Sequence, residues 1–217
     1  MPRSKPLFFF LCLGLLPLDV EASTGRSPNS LDHSVEESAR LFREGAETES
    51  ETNKRRLHEE GLALAEAAKQ VNPENPGALL QWTMHASAIA AMDKNLAALQ
   101  QIKRIETTLL RLKEIAPGYE HAAADRTLGL LYRNAPMIIS IGSTARAGRH
   151  LKEAFAKDPA YPGNCIFLAD FYLGEGEKRE ARRLVKDCGT EEKIGAYPVE
   201  AAEWKRLARR ILDKTRS

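Results

Sequence analysis

The strongest constraint on this chain is an order of residues that occurs twice. Leu128-Gly129 followed by Tyr132 returns as Leu168-Ala169 followed by Tyr172, and the trio Ala147, Leu151 and Ala154 returns as Ala181, Val185 and Cys188. Each set reads as two helices: small residues let antiparallel helices approach, Leu and Tyr fill the seam, and Pro159 stops the second helix of the first set. One such hairpin cannot bury its own apolar face and has to stack on a neighbour. Composition agrees with helices over sheet, since aromatic residues are only 6% of the chain. Almost no strand is expected.

The doubled order resembles the tetratricopeptide repeat. The expected fold class is therefore all-α, a tetratricopeptide-like helical-hairpin solenoid closed by a C-terminal capping helix. Ser34 and Glu37 read as a capping box that starts the first helix at Val35, with Ala39, Phe42 and Ala46 as its stripe. Leu57, Leu64, Ala65, Ala68 and Val71 form the answering stripe on a second helix, ended by Asn72-Pro73. After Asn75-Pro76-Gly77 the third helix buries Trp82, Ala86, Ile89 and Ala90, and the fourth carries Leu99, Ile102, Ile105, Leu109, Leu112 and Ile115 up to Pro117. The fifth and sixth are expected at about Tyr119 to Asn134 and Thr144 to Lys157, and Gly174-Glu175-Gly176 joins the seventh to the eighth. Pro198 is expected to open a last helix with Ala201, Trp204, Ala208 and Ile211 on one side.

The helix-ending prolines Pro73, Pro117 and Pro159 are spaced more widely than the roughly 34 residues of a plain tetratricopeptide period. Part of the excess is an apolar loop containing Met137, Ile138, Ile139 and Ile141. Such a loop either tucks into the core or meets a partner, and tucking is the commoner fate because exposed apolar patches are rare on soluble monomers.

At the start of the chain, Arg3 and Lys5 precede an apolar run from Leu7 to Leu16, followed by Pro17 and Val20-Glu21-Ala22. This is the order of a secretory signal peptide, expected over residues 1–22, with a flexible lead-in over 23–33 and the helical domain over 34–217. The run is shorter than the roughly 20 residues that span a bilayer. Export places the mature chain in an oxidising compartment, most readily the bacterial periplasm. Beyond the leader two cysteines remain, Cys165 and Cys188. The hairpin register brings the start of the seventh helix beside the end of the eighth, so these two are hypothesised to form a disulfide, with two reduced core thiols as the alternative.

Catalytic signatures are missing. His58-Glu59 begins like a zinc-protease helix, but Leu62 stands where the second histidine would be, and the five histidines show no metal-ligand spacing. Neither a phosphate-cradling loop nor a Gly-x-Ser-x-Gly elbow is present. The expectation is a protein without enzymatic activity, cofactor or metal. A net charge of +2 from 32 basic and 30 acidic residues does not suggest nucleic acid. The basic excess is local, in Lys205, Arg206, Arg209, Arg210, Lys214 and Arg216. That face is either solvated or turned to an acidic partner or lipid headgroups.

The stretch from Leu128 to Tyr172 goes beyond a general repeat, with Leu-Gly-Leu-Leu-Tyr, Ala-Pro, Ser-Ile-Gly, His150-Leu151, Asp158-Pro159, Tyr161-Pro162, Asn164 and Phe167-Leu168-Ala169. It resembles the T component of TRAP transporters, well over Asp125 to Arg182 and loosely over most of the mature chain. The resemblance implies a periplasmic helical protein, sometimes trimeric, that pairs with the substrate-binding subunit of an uptake system for organic ligands, some of them hydrophobic. Members are often lipoproteins. Here Cys12 follows Leu11 inside the apolar run, so lipid anchoring is disfavoured. If inner helices line a concave groove, as in tetratricopeptide arrays generally, Leu80, Met84, Arg126, Leu130, Arg133, Asn134, Ile166, Asp170 and Leu173 would face it. The two guanidinium groups would then suit a carboxylate, from an organic acid or a peptide end. The alternative is that Arg126 and Arg133 merely pair with neighbouring acids on a wet surface. The competing role is a periplasmic scaffold for envelope proteins unrelated to transport.

Overall fold

The computed structural model of the protein describes residues 30–93, 95–136 and 140–216. The expected signal peptide, most of the lead-in, and Met137, Ile138 and Ile139 of the apolar loop lie outside them. Among the described residues there are ten helices and no strand. They are α1 (Ser30–Glu47), α2 (Glu51–Val71), α3 (Pro76–Asp93), α4 (Leu96–Ile115), α5 (Tyr119–Asn134), α6 (Thr144–Lys157), α7 (Pro162–Gly174), α8 (Lys178–Cys188), α9 (Glu191–Gly195) and α10 (Ala201–Lys214). None is long and apolar enough to cross a membrane.

Local chemistry sets most of the ends. Ser50, Asn95, Ser143 and Thr190 each accept a backbone amide three residues on, satisfying a donor that the first turn leaves open. α2, α4 and α6 stop at Asn72, Ala116 and Asp158, whose backbones are bent out of the helical region (ψ 97°, 70° and 86°) by the proline that follows each. Two starts differ from expectation. α1 begins at Ser30, which puts Asp32 in the first turn, where the helix dipole favours a carboxylate, and leaves Ser34 inside the helix. Glu37 meets Arg40 there and builds no capping box. At the other end, Pro198 lies in a turn closed by the amides of Glu200 and Ala201 on the Tyr197 carbonyl, and α10 starts only at Ala201. The short α9 before it was not expected.

The chain divides into two compact units. In the first, α1 packs on α2, α2 on α3 and α3 on α4, with α1 also reaching α3. α3 (PGALLQWTMHASAIAAMD) has no polar face and is buried nearly all round. Lys69 and Arg104 lie over the ring of Trp82 on that helix, at 4.1 and 5.3 Å.

The interior of this unit also holds two imidazoles. His85 Nε2 donates to the Ser38 carbonyl at 3.0 Å, which leaves its Nδ1 as the acceptor for His58 Nδ1–H at 3.2 Å. Phe42 flanks both rings. Ser38 Oγ donates to the Gly61 carbonyl, so α1, α2 and α3 are joined by three buried polar contacts. The rings fit because Gly45 and Gly61 lack side chains: a Cβ at Gly61 would stand 2.1 Å from His85 Cε1, and one at Gly45 2.8 Å from His58 Cε1. Burial depresses both pKa values, His58 to about 4, helped by Lys54, and His85 to about 3.

In the second unit α5 packs on α6, α6 on α7 and α7 on α8, and α10 closes over α7, α8 and α9. Trp204 on α10 is fully buried and meets Tyr161 edge to face at 5.3 Å. Cys165 on α7 and Cys188 at the end of α8 are joined by a disulfide, with their Cα atoms 6.3 Å apart. This hairpin is thus held covalently as well as by apolar packing.

Candidate functional site

The unusual backbone of the second unit is at the start of α5. Glu120, His121 and Ala122 have φ of 49°, 56° and 59°, three consecutive left-handed residues, none of them glycine. Each costs about 1–2 kcal/mol, so the turn exists only because other groups hold it. Arg126, 4% exposed, donates to the carbonyls of His121 (2.9 Å) and Glu120 (3.4 Å) and to Asn164 Oδ1 (3.0 Å). Asn164, fully buried near the start of α7, points Nδ2 at the carbonyls of His121, Ala154 and Asp158, each 3.0–3.1 Å away. The turn, the end of α6 and the start of α7 therefore share one hydrogen-bond hub.

The turn presents His121 to Asp158, Nδ1 to Oδ2 at 2.6 Å, with both side chains about one-third exposed. Burial alone would raise the Asp158 carboxyl. The hydrogen bonds from His121 and from the amides of Tyr161 and Ala160 outweigh it and hold the group below its ordinary range. The carboxylate therefore accepts, and His121 Nδ1 carries the proton. The imidazole stacks on Tyr161, ring centres 4.1 Å apart and nearly parallel, and Arg126 lies over the same tyrosine at 4.8 Å. Tyr161 Oη and Trp204 Nε1 have no hydrogen-bond partner among the described residues.

A second polar hub ties α5, α7 and α10. Asp170 accepts from Arg133 Nη1 at 2.9 Å on one oxygen and from Arg210 on the other, while Arg133 Nη2 reaches the Asp170 carbonyl at 3.1 Å. Asp125, fully buried, is met by His150 Nδ1 at 2.7 Å and by Lys157. Asp125, His150 and Glu153 could surround a metal ion. Lys157 already supplies the positive charge that Asp125 requires, which argues for a structural ion pair in that place.

These positions decide the fate of the expected groove. Leu80, Met84, Leu130 and Ile166 are interior residues, at most 6% exposed, and floor no open surface. The reason is visible in α3 and α7, both apolar on every side and covered on more than one. Arg133 pairs with the neighbouring Asp170, whereas the buried Arg126 gives donors to the carbonyls of His121 and Glu120 and to Asn164. Asn134 and Leu173 are half-buried, as is Ile141 at the edge of the apolar loop.

The open surface of this unit that carries concentrated chemistry is on α10. Trp204, Leu207, Ala208 and Ile211 turn inward. On the outer side Lys205, Arg206, Arg209, Arg210 and Lys214 line an open depression with Asp213. Lys205 pairs with Glu191, Arg206 with Glu203 and Arg210 with Asp170. Arg209 and Lys214 are exposed and have no ion-pair partner among the described residues.

Sequence reasoning singled out Arg133 and Asp170 as groove residues and the basic run as a charged face, and missed the His58–His85, His121–Asp158 and Arg133–Asp170 pairs. Partners so far apart in sequence leave no spacing to read. The signal for the first was the pair of glycines, Gly45 and Gly61, inside otherwise good helices.

A tetratricopeptide repeat model matches residues 142–188, which carry α6, α7 and α8. No curated protein matches the chain. Helices packed in consecutive pairs, with that match across three of them, give the protein an all-α, tetratricopeptide-like fold of the kind that generally serves protein interaction.

Proposed function

We propose that the protein is exported and works as a non-enzymatic binding partner, in the manner of the T component of a TRAP-type solute uptake system. The observation that carries the binding role is the tetratricopeptide match over residues 142–188, on a hairpin closed by a disulfide. The charged, apolar and small-residue order of residues 1–22 and the disulfide both support export to the periplasm. The specific link to uptake rests on the resemblance over Asp125 to Arg182, within which Asn164, Asp158 and Tyr161 build the hub around the left-handed turn. Site-directed photocrosslinking of the full chain in cells, read by mass spectrometry, tests the assignment. Adducts with a substrate-binding subunit are the expected result, and adducts confined to cytoplasmic proteins would refute it.

A second reading, a periplasmic scaffold for envelope proteins, draws on the general character of the repeat match. Adducts dominated by envelope proteins with no transporter subunit would select it.

A further inference from the structure

We propose that the outer face of α10 docks an acidic segment of a protein partner, one that presents carboxylates every 6–7 Å. The inference rests on the binding-partner reading and names the surface and the chemistry it recognises.

The face is built as two rows. Arg206, Arg210 and Lys214 follow one another at intervals of four residues, as do Lys205 and Arg209. At 1.5 Å per residue, each step is about 6 Å along the helix. Alternate side chains of an extended segment repeat at about 6.6 Å, and positions four apart on a helix at about 6 Å. An acidic segment in either form keeps register with these cations over several contacts. Five cations face one carboxylate, Asp213, across the depression.

The chain itself shows what the face accepts. Glu191, on α9, lays its carboxylate on Lys205 although its side chain is 74% exposed, and it also lies in the field of Arg209. It acts as a tethered stand-in for a partner's carboxylate. Arg209 and Lys214, without ion-pair partners among the described residues, are left for the next contacts along the rows.

A protein segment fits this face better than a bilayer. The large apolar residues Trp204, Leu207 and Ile211 of α10 are turned inward, 0–8% exposed, and the outer side offers only the small Ala202 and the half-buried Leu212, too little to insert among acyl chains. Three of the five cations are arginines, whose planar forks bind carboxylates two bonds at a time.

The test uses fluorescence anisotropy of a labelled peptide alternating Glu and Ser, with a Gln/Ser peptide and phosphatidylglycerol vesicles as the other arms. The processed chain should bind the acidic peptide, more weakly as salt rises. Arg209→Glu with Lys214→Glu, both exposed positions, should weaken binding about tenfold or more with the circular dichroism unchanged. Glu191→Gln should tighten binding about two- to threefold by removing the tethered competitor, while Glu192→Gln, which removes the same charge from the next position, should not. Equal affinity for both peptides, vesicle binding without peptide binding, or indifference to the double reversal would each overturn the proposal. If the double-reversed chain still crosslinks to the same cellular partner as the unaltered chain, the docking face is wrong while the binding role stands.

Discussion

Acidification should weaken the first unit through the His58–His85 pair, and the size of the effect follows from its geometry. In the neutral pair His85 Nδ1 accepts from His58 Nδ1–H, and His85 Nε2–H is committed to Ser38. A proton added to His85 Nδ1 would set two N–H groups facing each other across 3.2 Å, inside a buried site where Lys54 already disfavours positive charge on His58. Unfolded, both rings titrate near 6.5; folded, they resist protonation until about 4 and about 3. Between those limits the unfolded chain binds more protons, so stability falls as pH falls, by about 1.4 kcal/mol per pH unit per ring. From pH 7 to pH 5 the pair should cost about 3–4 kcal/mol, a large share of the roughly 5–15 kcal/mol that holds a typical domain folded. Urea unfolding followed by far-ultraviolet circular dichroism at both pH values measures the loss. The comparison chain is His58→Asn with His85→Gln, which keeps an amide donor at each ring position and cannot titrate. Above pH 6.5 the native pair should contribute in full, and on acidification the native chain should lose about 3 kcal/mol more than the double variant. Parallel pH profiles would refute the reasoning.

Three further outcomes follow from contacts described above. Replacing Cys165 and Cys188 by Ala removes a cross-link over a sequence separation of 23, which should lower stability by about 3 kcal/mol in calorimetry; a change under about 1 kcal/mol would mean the bridge constrains little. Gly61→Ala drives a methyl into the His85 ring and should cost about 3 kcal/mol or more by urea titration, whereas Gly118→Ala, with nothing within 4 Å, should be near neutral; similar costs at the two sites would contradict the imidazole packing. Tyr161→Phe removes a hydroxyl that has no partner among the described residues and should leave stability within about 1 kcal/mol, while Tyr161→Ala should cost about 3–5 kcal/mol; a large loss in the Phe variant would show that the hydroxyl is bonded.

Helix ends were the most legible part of the sequence, because Asn72-Pro73, Ala116-Pro117 and Asp158-Pro159 force the chain out of the helical region whatever surrounds them. The stripes of α4 and α10 were legible for the same local reason: Ile102, Ile105, Leu109 and Leu112 recur at helical spacing and are buried. The groove was misread by assuming that the inner face of a hairpin stays open. α3 and α7 lack a polar face, and a helix apolar on all sides signals cover on all sides. The left-handed turn was invisible, since Tyr-Glu-His-Ala-Ala-Ala is ordinary helix-forming sequence and the contacts that override it, from Arg126, Asn164, Asp158 and Tyr161, come from elsewhere in the chain.

That turn has a bearing on how this half of the molecule assembles. Helical-hairpin arrays ordinarily gain order one module at a time, because each depends only on its neighbour. Here the backward-wound start of α5 is secured by an amide side chain more than forty residues downstream, so α5 and α6 cannot reach their final form until α7 has arrived. Helices α5, α6 and α7 should consequently melt and refold as one block, with amides in all three exchanging their hydrogens together.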